Sequence, residues 1–183
     1  MRRFAASLCA LAVFALGACV YTIDVRSVAV PDTVIAGRRT FRLLPASEFR
    51  GREQLLPNDP MLPNSSTYGA VREEIERAFV KRGYVASPSP ADLDIAYYAT
   101  SAQQLELRIF DYGYDWAELP REAAEETQFD RGTIVIDVVS PATHKLLWRG
   151  LARGHLDPNV NDYVADLRKT IDAIAEKFPA ATR

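Results

Sequence analysis

Two stretches of the chain repeat apolar residues at helical steps, and several others alternate. Tyr68, Val71, Ile75, Ala78 and Phe79 recur three and four residues apart, which places them on one stripe of a helix over residues 66–82. Ser65, Ser66 or Thr67 can cap its start, because a hydroxyl there accepts an otherwise unpaired backbone N–H. Lys81-Arg82-Gly83 suits its end, with cations at the negative pole and a glycine for a left-handed stop. Val160, Val164, Leu167, Ile171, Ile174 and Phe178 form a second stripe and predict a helix over 161–178, stopped by Pro179.

Strand-like alternation runs over residues 20–30, ended by Pro31-Asp32, and over 38–44, with Phe41 and Leu43 on one face. Residues 92–100 put Leu93, Ile95, Tyr97 and Ala99 on one side. Residues 104–116 read as another extended run. Residues 131–139 alternate through Ile134, Ile136 and Val138, and Ser140-Pro141-Ala142-Thr143 turns the chain into a hairpin partner over 145–155. The predicted order is β-β-α-β-β-β-β-α. A strand-helix-strand crossover implies one parallel pair, and the later hairpins are antiparallel. Two helices with one apolar stripe each cover one face of a sheet. The expected fold is therefore an α+β two-layer sandwich, with a mixed, mostly antiparallel sheet of about six strands.

Composition fits one globular domain. The chain has 183 residues, 48% hydrophobic and 25% charged, which excludes wholesale disorder. A formal net charge of −2 gives no electrostatic footprint for nucleic acid. Two cysteines and two histidines support neither a disulfide scaffold nor a zinc site, and no cofactor is expected. No tandem repeat is visible.

The N-terminus reads as an address. Arg2 and Arg3 precede an uncharged apolar run, residues 4–16, and then Gly17 and Ala18, in the order of a secretory signal peptide. The run is short for a span, which needs about 20 apolar residues. Leu16-Gly17-Ala18-Cys19 resembles the lipobox of bacterial lipoproteins. That resemblance implies a cleaved signal over 1–18, a diacylglyceryl group with fatty acids such as palmitate on the Cys19 thiol, and one domain over 19–183. An ordinary cleaved signal and an uncleaved anchor helix are the competing readings. Cys9 would leave with the signal, and loss of Arg2 and Arg3 would make the chain more acidic. Two or more acyl chains hold a protein stably at a bilayer, at about 0.8 kcal/mol per buried methylene. Val20, rather than aspartate, follows Cys19. By resemblance to lipoprotein sorting in enteric bacteria, this implies the outer membrane, on the leaflet facing the periplasm.

The body of the chain resembles the bacterial lipoproteins that carry the domain of unknown function DUF4136. The residues concerned are Cys19, Thr40-Phe41, Lys81-Arg82-Gly83-Tyr84, and the run from Ala91 to Ile95. They continue in the runs from Arg131 to Asp137 and from Leu147 to Ala152, and in Phe178-Pro179. The resemblance covers nearly all of residues 19–183. It implies envelope placement and a fold, but no substrate and no catalytic residue.

Candidate chemistry is sparse. Residues 110–116, Phe-Asp-Tyr-Gly-Tyr-Asp-Trp, put aromatics on one side and Asp111 and Asp115 on the other if extended. Tyr112, Tyr114 and Trp116 are candidate contacts for a sugar ring or a peptide; the competing reading packs them in the core. The proline-rich loop 46–65 carries Leu55 and Leu56, which either dock a partner or fold over the sheet edge. His144 and His155 flank a strand with Asp137 and Asp157 nearby, but about 30 Å of strand at ~3.3 Å per residue separates the two histidines. Trp148 reads as core, Arg149 as solvated or paired with an acid, and Gly150 as a bulge or a close approach. Arg38, Arg39 and Arg42 suit a solvated surface or anionic headgroups. No nucleophile elbow, HExxH or phosphate loop is present. The expectation is a lipid-anchored envelope protein that binds or scaffolds without catalysis. Its partners are the membrane, through the N-terminal lipid, and an envelope protein or cell-wall glycan. The alternatives are an accessory lipoprotein of an envelope transport or assembly complex and, third, a hydrolase of envelope material.

Overall fold

A computed structural model describes residues 23–44, 66–88, 90–99, 105–106, 128–129, 132–153 and 162–182. Six strands form one open sheet: β1 (Asp24–Ala29), β2 (Thr40–Leu43), β3 (Val85–Ala86), β4 (Leu93–Ala99), β7 (Thr133–Val139) and β8 (Leu146–Arg153). Their spatial order is β1-β8-β7-β4-β2-β3. The pairs β1/β8, β7/β8 and β4/β7 are antiparallel, and β2/β4 and β2/β3 are parallel. Helices α2 (Ser66–Lys81) and α3 (Tyr163–Ala175) cover one face, as an α+β sandwich requires.

Alternation along the strands decides which side chains meet the helices. Phe41, Leu93, Ile95, Tyr97, Ile134, Ile136, Val138 and Trp148 are all buried, and cross-strand pairs such as Ile95↔Val138 and Tyr97↔Ile136 align them. From α2, Val71, Ile75, Ala78 and Phe79 meet this layer; from α3, Leu167, Ile171 and Ile174 do so. Phe41, Phe79, Tyr84, Phe178 and Trp148 form a continuous aromatic group, with successive ring centroids 5.1–6.1 Å apart. At the end of α2, Gly83 takes φ +92°, the left-handed stop anticipated from Lys81-Arg82-Gly83. The C-terminal residues close over this corner. Arg82 Nη2 donates to the Phe178 carbonyl, Ala181 N to the Arg82 carbonyl, and Tyr84 Oη to the Pro179 carbonyl.

The helices run parallel to one another. Glu74 meets Arg168, Arg77 meets Asp172 and Arg82 meets Phe178, so both sequences advance in the same direction. A polar chain runs between them, Arg168–Glu74–Arg77–Asp172–Lys81, with its shortest links at 2.8, 2.6, 2.7 and 3.2 Å.

Four details differ from the periodicity reading. The sixth strand of the sheet is Val85-Ala86, not the run 104–116; only Leu105-Glu106 of that run is described. It forms β5, pairing with Gln128-Phe129 (β6) in a separate two-stranded sheet. A two-residue strand carries no alternation to read; β3 exists because the Gly83 turn delivers the chain alongside β2, where Val85 N donates to the Arg39 carbonyl at 2.9 Å. Because β3 joins β2 in the same direction as β4, there are two parallel pairs, where one was expected. A short helix α1 (Asp32–Ile35) follows Pro31 and sinks Ile35 into the core as the chain passes from β1 to β2. Finally, Val164 is 52% exposed despite its place in the stripe, because Tyr163 packs against the core in the first turn of α3.

Candidate functional site: the cleft beside β2 and the end of the sheet where β1 begins

The second face of the sheet carries charge. Arg42 on β2 pairs with Asp94 on β4, Nε to Oδ1 at 3.0 Å and Nη2 to Oδ2 at 2.9 Å. Two strands further on, Arg149 holds Asp137 side-on, with both bonds at 2.6 Å. Across the sheet the signs read plus, minus, minus, plus. Asp94 stands opposite Val139, and Asp137 opposite Ala96, so the two carboxylates are diagonal neighbours. Both are buried, and each is neutralised from its outer side by an arginine. Asp137 is therefore committed to Arg149. His144, which the hydrolytic reading drew towards it, is exposed in the hairpin turn at φ +54°. His155 and Asp157 lie outside the described residues.

A cleft of about 450 Å³ opens where β3 ends and β2 continues. Phe41 and Leu43 form its floor, Ala86 and Pro88 one wall, and Arg72 and Glu76 of α2 the other. Ser87 N donates to the Phe41 carbonyl at 2.8 Å, the last bond of the β2/β3 ladder. Leu44 N donates to Ile95 on the β4 side, so by alternation the amide and carbonyl of Leu43 point to the cleft. The cleft thus offers apolar floor, strand edge, two cations, Arg42 and Arg72, and the carboxylate of Glu76. Sequence reasoning missed it; its only trace is Arg72 and Glu76, four residues apart beside the apolar stripe.

Phenols cluster where the helices begin. Tyr68 of α2 stacks on Tyr97 of β4 at 5.7 Å, and Tyr163 opens α3. Burial pushes the phenols of Tyr97 and Tyr163 upward, so both remain protonated at neutral pH. Among the described residues, no group of three or more His, Cys, Asp or Glu is placed to hold a metal ion. No helix among them is long and apolar enough to cross a membrane.

Cys19, Leu55, Leu56, Tyr112, Tyr114 and Trp116, the residues singled out from sequence, lie outside the described residues, as do Asp111 and Asp115. The described strands nevertheless place the points where those segments join the fold. Asp24, the start of β1, pairs with Arg153, the end of β8; Arg153 pairs with Thr133, the start of β7; and Ala99, the end of β4, pairs with Ile134. β2 runs parallel to β4 but stops short of this end, since Leu43 pairs with Ile95, which is level with Val138 near the β7–β8 turn. Tyr68 stacks on Tyr97, and Ile174 and Phe178 lie beside Gly150 and Trp148, so α2 and α3 both start here. One end of the sheet therefore receives the N-terminal segment and the connections 100–131 and 154–161, while 45–65 leaves β2 nearer the β7–β8 turn. The other end has the tight ones: the β7–β8 turn and the Gly83 turn.

This is an α+β domain of one six-stranded open sheet covered by two parallel helices, with the connections 100–131 and 154–161 joining it at one end. The chain belongs to the family described as Domain of unknown function (DUF4136), which it matches over residues 27–180. No curated protein is a sequence match. Among solved structures, it is similar to the PelC dodecamer from Paraburkholderia phytofirmans, at 8% identity and a TM-score of 0.49, over 88% of this chain and 100% of that one. It is also similar to a PDZ domain protein from Parabacteroides distasonis, at 12% identity and a TM-score of 0.46, over 89% of this chain and 38% of that one.

Proposed function

We propose that this protein is a lipid-anchored envelope protein, facing the periplasm from the outer membrane, whose domain binds or scaffolds without catalysis. The observation that carries the reading is Leu16-Gly17-Ala18-Cys19, set behind a charged start and an apolar run and only a few residues before β1 begins at Asp24. Acylation of Cys19 there would fix the chain to a bilayer without any contribution from the folded domain. The non-catalytic part is supported by how the buried acids are used. Asp137 and Asp94 join strands through arginines, and Glu74 joins the helices. Both carboxylate oxygens of Asp137 and of Asp94 already accept from an arginine, which leaves neither acid free to take a proton from a substrate.

Mass spectrometry of the N-terminal peptide of membrane-purified protein tests the anchor. An acylated Cys19 as first residue is expected, and an unmodified chain retaining Met1 overturns the reading. Photo-crosslinking in cells tests the binding role, with a discrete envelope protein or cell-wall glycan as the expected product. Hydrolytic turnover of envelope material that is lost on Asp137→Asn, in a variant that still folds, overturns it.

A further inference from the structure

We infer that the free edge of β1 is an interface between two copies of this chain, paired antiparallel about a two-fold axis at Val25, so that Asp24 of each copy meets Arg26 of the other. The contact is independent of Cys19 and of the anchored reading. β1 is an edge strand, paired with β8 over Asp24–Ala29 on one side and with no described strand on the other. Val30 N donates to the Leu147 carbonyl at 2.9 Å, so by alternation Asp24, Arg26 and Val28 bond β8, while Val25, Ser27 and Ala29 turn their N–H and C=O groups to the open side. Asp24, Arg26, Ser27 and Ala29 are exposed. A row of edge amides and carbonyls is a template for another strand. Charge on an edge usually deters such pairing, but this edge carries both signs two residues apart, on the same face of the sheet. Arg26 and Asp24 lie 3.3 Å apart within the strand, with side chains 56% and 53% exposed. In an antiparallel pair, residues opposite one another direct their amides either both inward or both outward, so a two-fold axis passes through a residue and not between two. Axes at Asp24 or Arg26 oppose like charges, and axes at Ser27 or Val28 set Arg26 against Val28 or Val30. An axis at Val25 sets Asp24 opposite Arg26 twice, Val25 opposite Val25, and Ile23 opposite Ser27. Opposite charges directly across a strand pair stabilise and like charges destabilise, so this register is selected over the others. The two six-stranded sheets then run on as one, with the helices of both copies on the same face.

Sedimentation velocity of full-length, membrane-purified protein in detergent, with micelles in excess over protein, tests the contact. Wild type should shift from monomer to dimer as its concentration rises. Asp24→Arg and Arg26→Asp each place like charges at both contacts, and each variant alone should remain monomeric. Mixed in equal amounts, with a fluorescent label on one of them, the two should form a dimer, because each cation of the first then meets a carboxylate of the second. The double exchange, Asp24→Arg with Arg26→Asp, keeps an opposite pair within the strand; it should dimerise with itself and not with wild type. Both positions are exposed, and an unchanged thermal midpoint verifies folding. If a single variant fails to fold, the double exchange decides. A wild type that stays monomeric overturns the proposal. So do single variants that still dimerise, a mixture that does not recover the dimer, or a double exchange that pairs with wild type as readily as with itself.

Discussion

Arg149 and Asp137 face one another across β7 and β8, with Nε and Nη2 each donating to a different carboxylate oxygen at 2.6 Å. Their side chains are 5% and 2% exposed. Removing either partner leaves an uncompensated charge out of water, at a cost of about 3–5 kcal/mol. Arg149→Ala and Asp137→Ala should each lower the urea midpoint accordingly. An apolar pair, Asp137→Leu with Arg149→Met, should recover most of the loss. If the double replacement is no better than the single ones, the pair is not an isolated charge balance.

Gly150 is a second constraint on the same strand, towards the helices. A Cβ there would lie 2.1 Å from Cη2 of Trp148 and 2.6 Å from Cγ2 of Ile174. Neither neighbour has room to move, since both are buried in the core. Gly150→Ala should cost about 1–3 kcal/mol through overpacking. The same change in a Trp148→Leu background should cost less, because the closest obstacle is gone. Equal costs in the two backgrounds, by urea unfolding, would contradict the packing account.

The two positions show what was readable in the chain. Trp148-Arg149-Gly150 reads as core, as a solvated or acid-paired arginine, and as a bulge or close approach, because alternation assigns each residue a face; the structure selects the ion pair and the close approach. The stripes of α2 and α3 are readable for the same reason. The acid partner of Arg149 is not, because it depends on the β7–β8 register, which a turn sets. β3 is too short to carry a period, and the exposure of Val164 reflects which residue meets the core in the first turn. The cleft beside β2 and the joining of the connections 100–131 and 154–161 at one end follow from strand order, and no local pattern encodes strand order.

Thr40 and Asp92 lock the parallel pair at the opposite end. Asp92 Oδ2 accepts from Arg39 N at 2.8 Å and from Thr40 N and Oγ1 at 2.9 Å, while Asp92 N donates to Thr40 Oγ1 at 2.9 Å. The backbone N–H of Arg39, then that of Thr40, hold the carboxyl below its usual range. The folded pKa is depressed, so this stabilisation is present above the unfolded value near 3.9 and is lost as pH falls through the lower folded value. Asp92→Asn should therefore be less stable than wild type at pH 7, by about 1 kcal/mol. The gap should close on acidification below about pH 4. A gap that stays constant from pH 7 to pH 2 would remove the charge from the explanation.

Glu74 is the centre of the link between the parallel helices. Its carboxylate is nearly out of water and takes bonds from Arg168 at 2.8 Å and from Arg77 at 2.6 Å. Hydrogen bonding from Arg168, and then from Arg77 against the opposing pull of burial, lowers its pKa. Arg168 is half exposed and its contact is open to solvent, so truncating it should matter little in salt. Glu74→Gln is different: it leaves Arg77 with Asp172 alone and weakens two charge-assisted bonds at a buried position, for about 1–3 kcal/mol. Stability contributed by Glu74 is present above the unfolded value near 4.3 and disappears as pH falls through the depressed folded value. The Glu74→Gln variant should lose less stability than wild type over that acid window. Urea unfolding at pH 7 and pH 3, in low and high salt, checks each part. A larger loss from Arg168→Ala than from Glu74→Gln would place the centre of the network on the exposed arginine instead.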